Sequence, residues 1–394
     1  MRVLHLTNKP IYPLLDGGCL AMNQIAKLLE ANKFELKNLT FETEKHPFSL
    51  DSFPIDFRSD FAPEAVLINA KVSIFGALKS ILKNESYNLA RFKSHQFASR
   101  LKELLLQKEY DFVICESIYM LVYLDVIRKV SKAKIIVRTH NVEYNLWERL
   151  ASHARFPKST YLNYLSKKLK SEEIPLLQKC DAIMNISEQD EKIFKSLSVV
   201  TKMITIPVFI DEPTQKSDYS SSKFHHIGTM NWQPNIEAVE ELLTTIFPKI
   251  KSKIPDAELH LAGSFFPQNL ISNPEKGIFV HGFVADKFDF ISKHGIQLIP
   301  LKSGSGVRIK ILESMSIGAP IVTTAIGAEG IEITNSKELF IAENNEDFIK
   351  KALKLNKNDD LRQEMGRNAQ KLIREKYNFE KVNKQFIEFF KTIS

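Results

Sequence analysis

Short apolar runs alternate with amphipathic stretches along most of the chain, the pattern of parallel sheets assembled from βαβ units. In the first half the expected strands are RVLHLT, ELKNLTFE, DFVICES, KIIVRTH and AIMNIS, followed by the apolar MITIPVFI. The pattern then breaks. IDEPTQKSDYSSSK is polar, contains Pro and Ser clusters and lacks hydrophobic periodicity, so an exposed linker is expected there. A second alternating series follows: FHHIGTM, AELHLAG, GIFVHGF, IQLIPL, PIVTTAI and LFIAE. A chain of 394 residues exceeds what one hydrophobic core usually supports, so the expectation is two α/β domains, each a doubly wound parallel sheet, facing a central cleft. The expected boundaries are a first domain over 1–209, a linker over 210–223, a second domain over 224–375 and a terminal helix over 376–394. In that last segment Phe379, Val382, Phe386, Ile387, Phe389 and Phe390 recur near helical spacing, as a final packing helix requires.

The most informative stretch runs from Pro300 to Ile333. An apolar strand empties into Gly304, Ser305 and Gly306, and the next helix is expected to open with Arg308 and Lys310 in its first turns, before Glu313. Helix N-termini present unpaired backbone N–H groups and partial positive charge, so a glycine loop with two cations suits a diphosphate. Alone, the two cations are equally consistent with a solvated helical turn. Beside a glycine loop at a strand end, anion binding is the favoured reading, and it points to a nucleotide.

Composition narrows the class. With 44% hydrophobic and 26% charged residues, the chain is an ordinary globular protein. No apolar run has the length of a membrane span and MRVLHLTNKP enters a strand pattern at once, so a cytoplasmic protein is expected. Cys19, Cys115 and Cys180 are widely spaced among apolar neighbours and are expected to be buried thiols. The net charge of +7 is mild, yet Lys79 and Lys83 lie near an apolar helix and Lys167, Lys168 and Lys170 cluster further on. Such patches suit either a solvated helix face or anionic lipid headgroups at the inner face of the membrane. No nucleic-acid-reading motif accompanies them, so no nucleic-acid partner is expected. Neither an Asp-x-Asp pair nor a histidine cluster with ligand spacing is present in the sequence, and no metal site is expected.

Together, GTMNWQPN with AVEELLTTIFPKI, then AELHLAG, VHGFV, IPLKSGSGVRIKILESMSIGAPIVTT and IGAEGI resemble, in that order, the donor domain of retaining glycosyltransferases of family 4. The resemblance is strong over 224–333 and weaker in the first half, where DGG and RTHNVE match. It implies the GT-B fold, two Rossmann-like domains around a cleft, with the terminal helix crossing back to the first domain. It also implies a hexosyltransferase-type enzyme with no cofactor. Its substrates would be a nucleoside-diphosphate sugar and a glycan or lipid-linked acceptor of surface or secreted glycoconjugates, lipopolysaccharide among them.

Site residues follow from the same resemblance. Glu313 inherits a ribose-binding role, while Ser305 stands where the family carries a glutamate that contacts the donor sugar. GTMNWQPN lacks the family's usual cations, and Arg308 and Lys310 are expected to replace them as in a branch with a GSGxRxK loop. Gly228, Trp232 and Asn235 would shape the donor wall, Phe283 would lie beside the base, and Glu329 near Gly327–Gly330 is the nearby carboxylate that could replace the missing glutamate. In the first domain, Gly17 and Gly18 after Asp16 are expected to free backbone N–H groups for the diphosphate or sugar. His140, flanked by Arg138, Asn141 and Glu143, would contact the sugar or its acceptor. Arg308, Lys310 and helix N–H groups would stabilise the departing diphosphate. Two other readings share this fold: a sugar-nucleotide epimerase, and a noncatalytic nucleotide-sugar-binding paralogue.

Overall fold

The computed structural model describes residues 1–211 and 213–393; Glu212 in the expected linker and Ser394 at the end of the expected terminal helix lie outside the described residues. The chain divides into two units, 1–208 with 383–394, and 209–382. The first is built on β1 (Arg2–Thr7), β2 (Glu35–Glu42), β3 (Glu64–Leu67), β4 (Phe112–Glu116), β5 (Lys134–Thr139), β6 (Ala182–Asn185) and β7 (Lys202–Thr205). These pair in the order β3-β2-β1-β4-β5-β6-β7, parallel throughout. Five of the six residues of β1 are buried, as a central parallel strand covered on both faces requires. Leu4, Leu6, Val113, Ile135 and Val137 form the middle of its core. Cys19, Cys115 and Cys180 are buried free thiols.

The second unit carries β8 (Lys223–Ile227), β9 (Glu258–Ala262), β10 (Ile278–Gly282), β11 (Ile296–Ile299), β12 (Ile321–Thr324) and β13 (Phe340–Ala342). Their order is β10-β9-β8-β11-β12-β13, again all parallel. Both sheets therefore step outward from their first strand and then reverse, which creates a topological switch point between β1 and β4 and another between β8 and β11. Open α/β sheets bind ligands outside the carboxyl ends of the strands at such points, where the loops diverge to opposite faces.

The linker differs from expectation. Rather than standing free, it packs on the second unit: Ser217 is buried and its N–H donates to the Ile317 carbonyl, and Arg362 Nε donates to the Tyr219 carbonyl. The last helix, Phe379–Ile393, starts in the second unit and its greater part belongs to the first. There Phe390 meets Phe34 and Phe112 edge-on, and Asn383 bonds Asn32 at 2.6 Å. Phe386, Phe389 and Phe390 are thus core groups.

Candidate active site

At the β8/β11 switch point the chain leaves β8 at Ile227, passes Gly228 and enters the helix Gln233–Glu241 with Trp232 as its N-cap residue. From β11 it leaves at Ile299 and enters the helix Ile309–Ser316 through the glycine loop. Gly304 and Gly306 have φ of +108° and +82°, a region that L side chains rarely adopt. A Cβ at Gly304 would lie 2.8 Å from Arg308 Nη2 and 3.1 Å from the Trp232 ring. Glycine is what lets those two side chains close over the loop.

Arg308 corrects the expectation of a cation inside the first helical turn. It is the N-cap residue, buried, and its guanidinium folds back on its own loop, with Nη1 donating to the Gly306 carbonyl at 2.7 Å and also to that of Ser305. The guanidinium lies over the Trp232 ring at 5.3 Å from the centroid. Its positive charge is thus fixed at the loop rather than free in solvent.

Lys310 points inward toward β8. Its Nζ donates to Asn235 Oδ1 at 2.8 Å and to the Ile227 carbonyl at 3.0 Å, and it stands 3.4 Å from His226 Nε2. His226 Nδ1 lies 2.8 Å from the Leu298 carbonyl, so the ring proton belongs on Nδ1 and the Nε2 lone pair faces the ammonium. Burial pushes the Lys310 ammonium down to about 7, with Arg308 pressing the same way and Glu313 opposing. Gly228 makes room for this arrangement, since a Cβ there would meet Asn235 Nδ2 at 2.8 Å.

Glu313 is buried and its carboxylate is already paired with Lys287, from the start of the helix Lys287–Lys293. Any ribose contact by Glu313 must share that carboxylate with the lysine. Lys287 escaped the sequence analysis because nothing in VADKFDF distinguishes it from a surface lysine. Phe283 directly follows β10 and is 75% exposed. Glu329 is half-buried in the turn after β12, where Gly327 N–H donates to Thr324 Oγ1 at 3.0 Å. Gly228, Trp232, Asn235, Gly304, Ser305, Gly306, Arg308 and Lys310 are therefore gathered at one switch point, with Phe283 and Glu329 on neighbouring loops of the same sheet edge.

In the first unit Gly17 and Gly18 lie within the helix Gly17–Ala31 rather than in a loop before it. Asp16 caps that helix, accepting from Cys19 N–H at 2.9 Å, and binds Lys9 Nζ at 2.7 and 2.5 Å. Burial would raise the Asp16 carboxyl, but Lys9 and the Cys19 N–H hold it at about 2. The helix start expected to receive a diphosphate thus already has a carboxylate of its own.

His140 immediately follows β5, and its Nε2 lies 2.6 Å from Glu116 Oε2. Glu116, the fully buried last residue of β4, also contacts His5 Nε2 at 2.8 Å through Oε1. A carboxylate accepts, so each imidazole carries its proton on Nε2. Burial opposes ionisation of Glu116, yet the bonds from His140 and His5 outweigh it and hold the carboxyl at about 2. Arg138 lies deeper, donating to the Ile206 carbonyl at 3.1 Å with Nε 3.9 Å from Glu116. Glu143 instead accepts from the Tyr119 hydroxyl at 2.8 Å. Glu116 and His5 carry no signal of their own in the sequence, because their partnership spans 111 positions.

The second unit in sequence, and the whole chain in fold, resemble known proteins. Residues 221–358 match the family model described as glycosyl transferases group 1. A 44.6 kDa uncharacterized protein in the cps region of Klebsiella pneumoniae is 28% identical over 297 residues, covering 72% of this chain and 75% of that protein. Among solved structures, sucrose-phosphate synthase from Thermosynechococcus elongatus superposes with a TM-score of 0.72 at 12% identity, covering 100% of this chain and 99% of that one. Anabaena HepE in complex with UDP-glucose gives 0.66 at 13% identity, with both chains fully covered. Residues 221–358 therefore resemble the glycosyl transferases group 1 family, and the chain as a whole has the two-sheet GT-B fold of those solved structures.

Proposed function

We propose that the chain is a retaining glycosyltransferase that moves a sugar from a nucleoside-diphosphate sugar to a glycan or lipid-linked acceptor in polysaccharide assembly. The observation that carries this reading is the fixed positive charge at the β8/β11 switch point: Arg308 stacked on Trp232 at the glycine loop, with Lys310 beside Asn235. Transfer leaves a diphosphate whose charge grows as the sugar becomes oxocarbenium-like, and preorganised cations and helix N–H groups stabilise that charge without having to reorient. The leaving phosphate would help to deprotonate the acceptor hydroxyl on the same sugar face. Glu313 with Lys287 is assigned to the ribose, Ser305 and the Glu329 turn to the sugar hydroxyls, and Phe283 to the base. His140, oriented by Glu116, is assigned to the sugar or its acceptor. The relative from a cps region and the UDP-glucose complex of HepE support a nucleotide-sugar donor and a polysaccharide product.

A lipid-linked acceptor fits a second feature. No helix among the described residues is long and apolar enough to cross a membrane. The helix Ile74–Leu82 nevertheless leaves Ile74, Phe75, Leu78, Ile81 and Leu82 exposed, with Lys79 and Lys83 among them. Exposed apolar side chains ringed by lysines suit the interface of an anionic bilayer. The reading is tested by incubating the protein with a panel of nucleotide sugars and lipid-linked acceptors and determining the anomeric configuration of any product by NMR. Transfer with the donor configuration kept supports it. Inversion refutes the retaining assignment, and epimer formation without transfer would identify an epimerase instead.

A further inference from the structure

Three histidines far apart in sequence converge on the helix-covered face of the β10–β9 edge. His260 is central in β9, His281 is in β10, and His294 ends the helix Lys287–Lys293. Each offers one ring nitrogen, and the three nitrogens lie within 4.8 Å of one another. His260 Nδ1 and His281 Nε2 are hydrogen-bonded at 3.0 Å, a contact that a metal ion would replace, with His281 then keeping its proton on Nδ1. A tetrahedral centre with metal–nitrogen distances of about 2.0–2.1 Å sets its ligand nitrogens roughly 3.3 Å apart, so one pair already has the spacing and the third closes by at most about 1.5 Å.

The surroundings of the rings prepare them as ligands. His260 Nε2 lies 3.1 Å from Glu258 Oε2 and His294 Nδ1 lies 2.5 Å from the Phe290 carbonyl. Both partners are acceptors, so those nitrogens carry the protons and leave lone pairs on His260 Nδ1 and His294 Nε2. A carboxylate behind His260 and a carbonyl behind His294 are the arrangement that orients metal-binding histidines and raises their basicity. The His260 ring is further held by stacking on Phe279, 5.0 Å away and tilted by only 13°. His281 sits where the β10–β9 register shifts between Val280 and Gly282, an irregularity of the kind that re-aims a side chain.

We propose that His260, His281 and His294 form a divalent transition-metal site of the zinc class, with Glu258 and Phe290 as its supporting shell and a fourth position left to water on the exposed side of His281. Three imidazoles suit zinc, cobalt, nickel or copper rather than the hard, oxygen-seeking magnesium or calcium. A bound ion would clip the edge strand β10 to β9 and to the helix above them. It is independent of the role assigned to the glycine loop, since none of the three histidines belongs to that loop.

The test uses the full chain, free of any affinity tag and treated with chelator, titrated with Co²⁺ and followed by visible absorption and thermal unfolding, with Zn²⁺ in competition and Mg²⁺ as control. One equivalent with the intense spectrum of a four-coordinate nitrogen site, displaced by Zn²⁺ and not by Mg²⁺, is expected, together with a higher unfolding temperature. His281→Ala, at an exposed position, and His294→Gln should each abolish the signal, and Glu258→Gln should weaken it by about ten- to a hundred-fold. Absence of stoichiometric binding overturns the proposal. So does binding that survives His281→Ala in protein whose metal-free unfolding matches the wild type, because the ion then sits elsewhere.

Discussion

The Arg308 guanidinium lies over the ring of Trp232, and Gly304 is the position that makes their approach sterically possible. Two loops from adjacent strands are thereby joined through a cation and an aromatic face. Removing the cation should matter more than removing the ring. Arg308→Ala should lower kcat/KM for the donor by about ten- to a hundred-fold, the cost of one charge-assisted hydrogen bond. Trp232→Ala should cost about threefold, in line with a cation–π contact worth roughly 0.5–1 kcal/mol. Steady-state kinetics on folded variants check this, and equal losses for the two would show that Trp232 has a direct role of its own.

Lys310 gives the site a pH signature. Its ammonium sits at about 7 beside Arg308, Glu313 and His226, and an incoming diphosphate would favour the charged form. Binding should therefore take up a proton. Affinity for a nucleoside diphosphate should be full below pH 7 and decline above it, approaching tenfold per unit, until the higher pKa of the bound state is reached. Calorimetry across pH 6–9 measures both proton uptake and affinity. Lys310→Met should flatten the profile, and an unchanged slope in that variant would remove Lys310 from the site.

Glu116 should set the acid stability of the first unit. Its folded pKa, about 2, lies below the ordinary 4.5, so the stabilisation is present above pH 4.5 and is lost as pH falls toward 2. Glu116→Gln should be destabilised at neutral pH by on the order of 3 kcal/mol, and the gap to wild type should close on acidification. Urea unfolding at several pH values measures it. A gap independent of pH would assign the effect to packing instead. Turnover should fall with it, because His140 loses the carboxylate that orients it.

The exposed helix Ile74–Leu82 makes the lipid reading separable from the chemistry. Phe75→Glu, at a side chain 84% exposed, should leave unfolding temperature and donor binding unchanged while abolishing co-flotation with vesicles containing anionic lipid. Equal flotation of the variant and the wild type would dismiss this surface.

What was legible in the sequence follows from how local each signal is. All six strands of the second sheet lie in short, largely apolar runs, and FHHIGTM through LFIAE located them, while the glycine loop is marked by Gly304, Ser305 and Gly306 at the end of one such run. Strand β3, EAVL, went unrecognised because it is short, only partly buried and lies on the sheet edge, so it has no long apolar run. Charge was legible at Arg308 and Lys310, but not the direction of either side chain, since that depends on Trp232 and Asn235 across the switch point. His5 with Glu116, Lys287 with Glu313 and the three-histidine cluster were invisible for one reason: their members meet only after strands distant in sequence become neighbours.

The central claim is that the loop between β11 and the helix Ile309–Ser316 binds the diphosphate of a nucleotide-sugar donor. Calorimetric titration of wild type and Arg308→Ala with UDP, GDP and ADP, each beside its nucleoside monophosphate, measures this directly. One diphosphate should bind wild type with single-site stoichiometry, its monophosphate should bind more weakly, and Arg308→Ala should lose about ten- to a hundred-fold in affinity for the diphosphate but little for the monophosphate. A diphosphate that binds wild type and Arg308→Ala equally, or no better than its monophosphate, would contradict the claim.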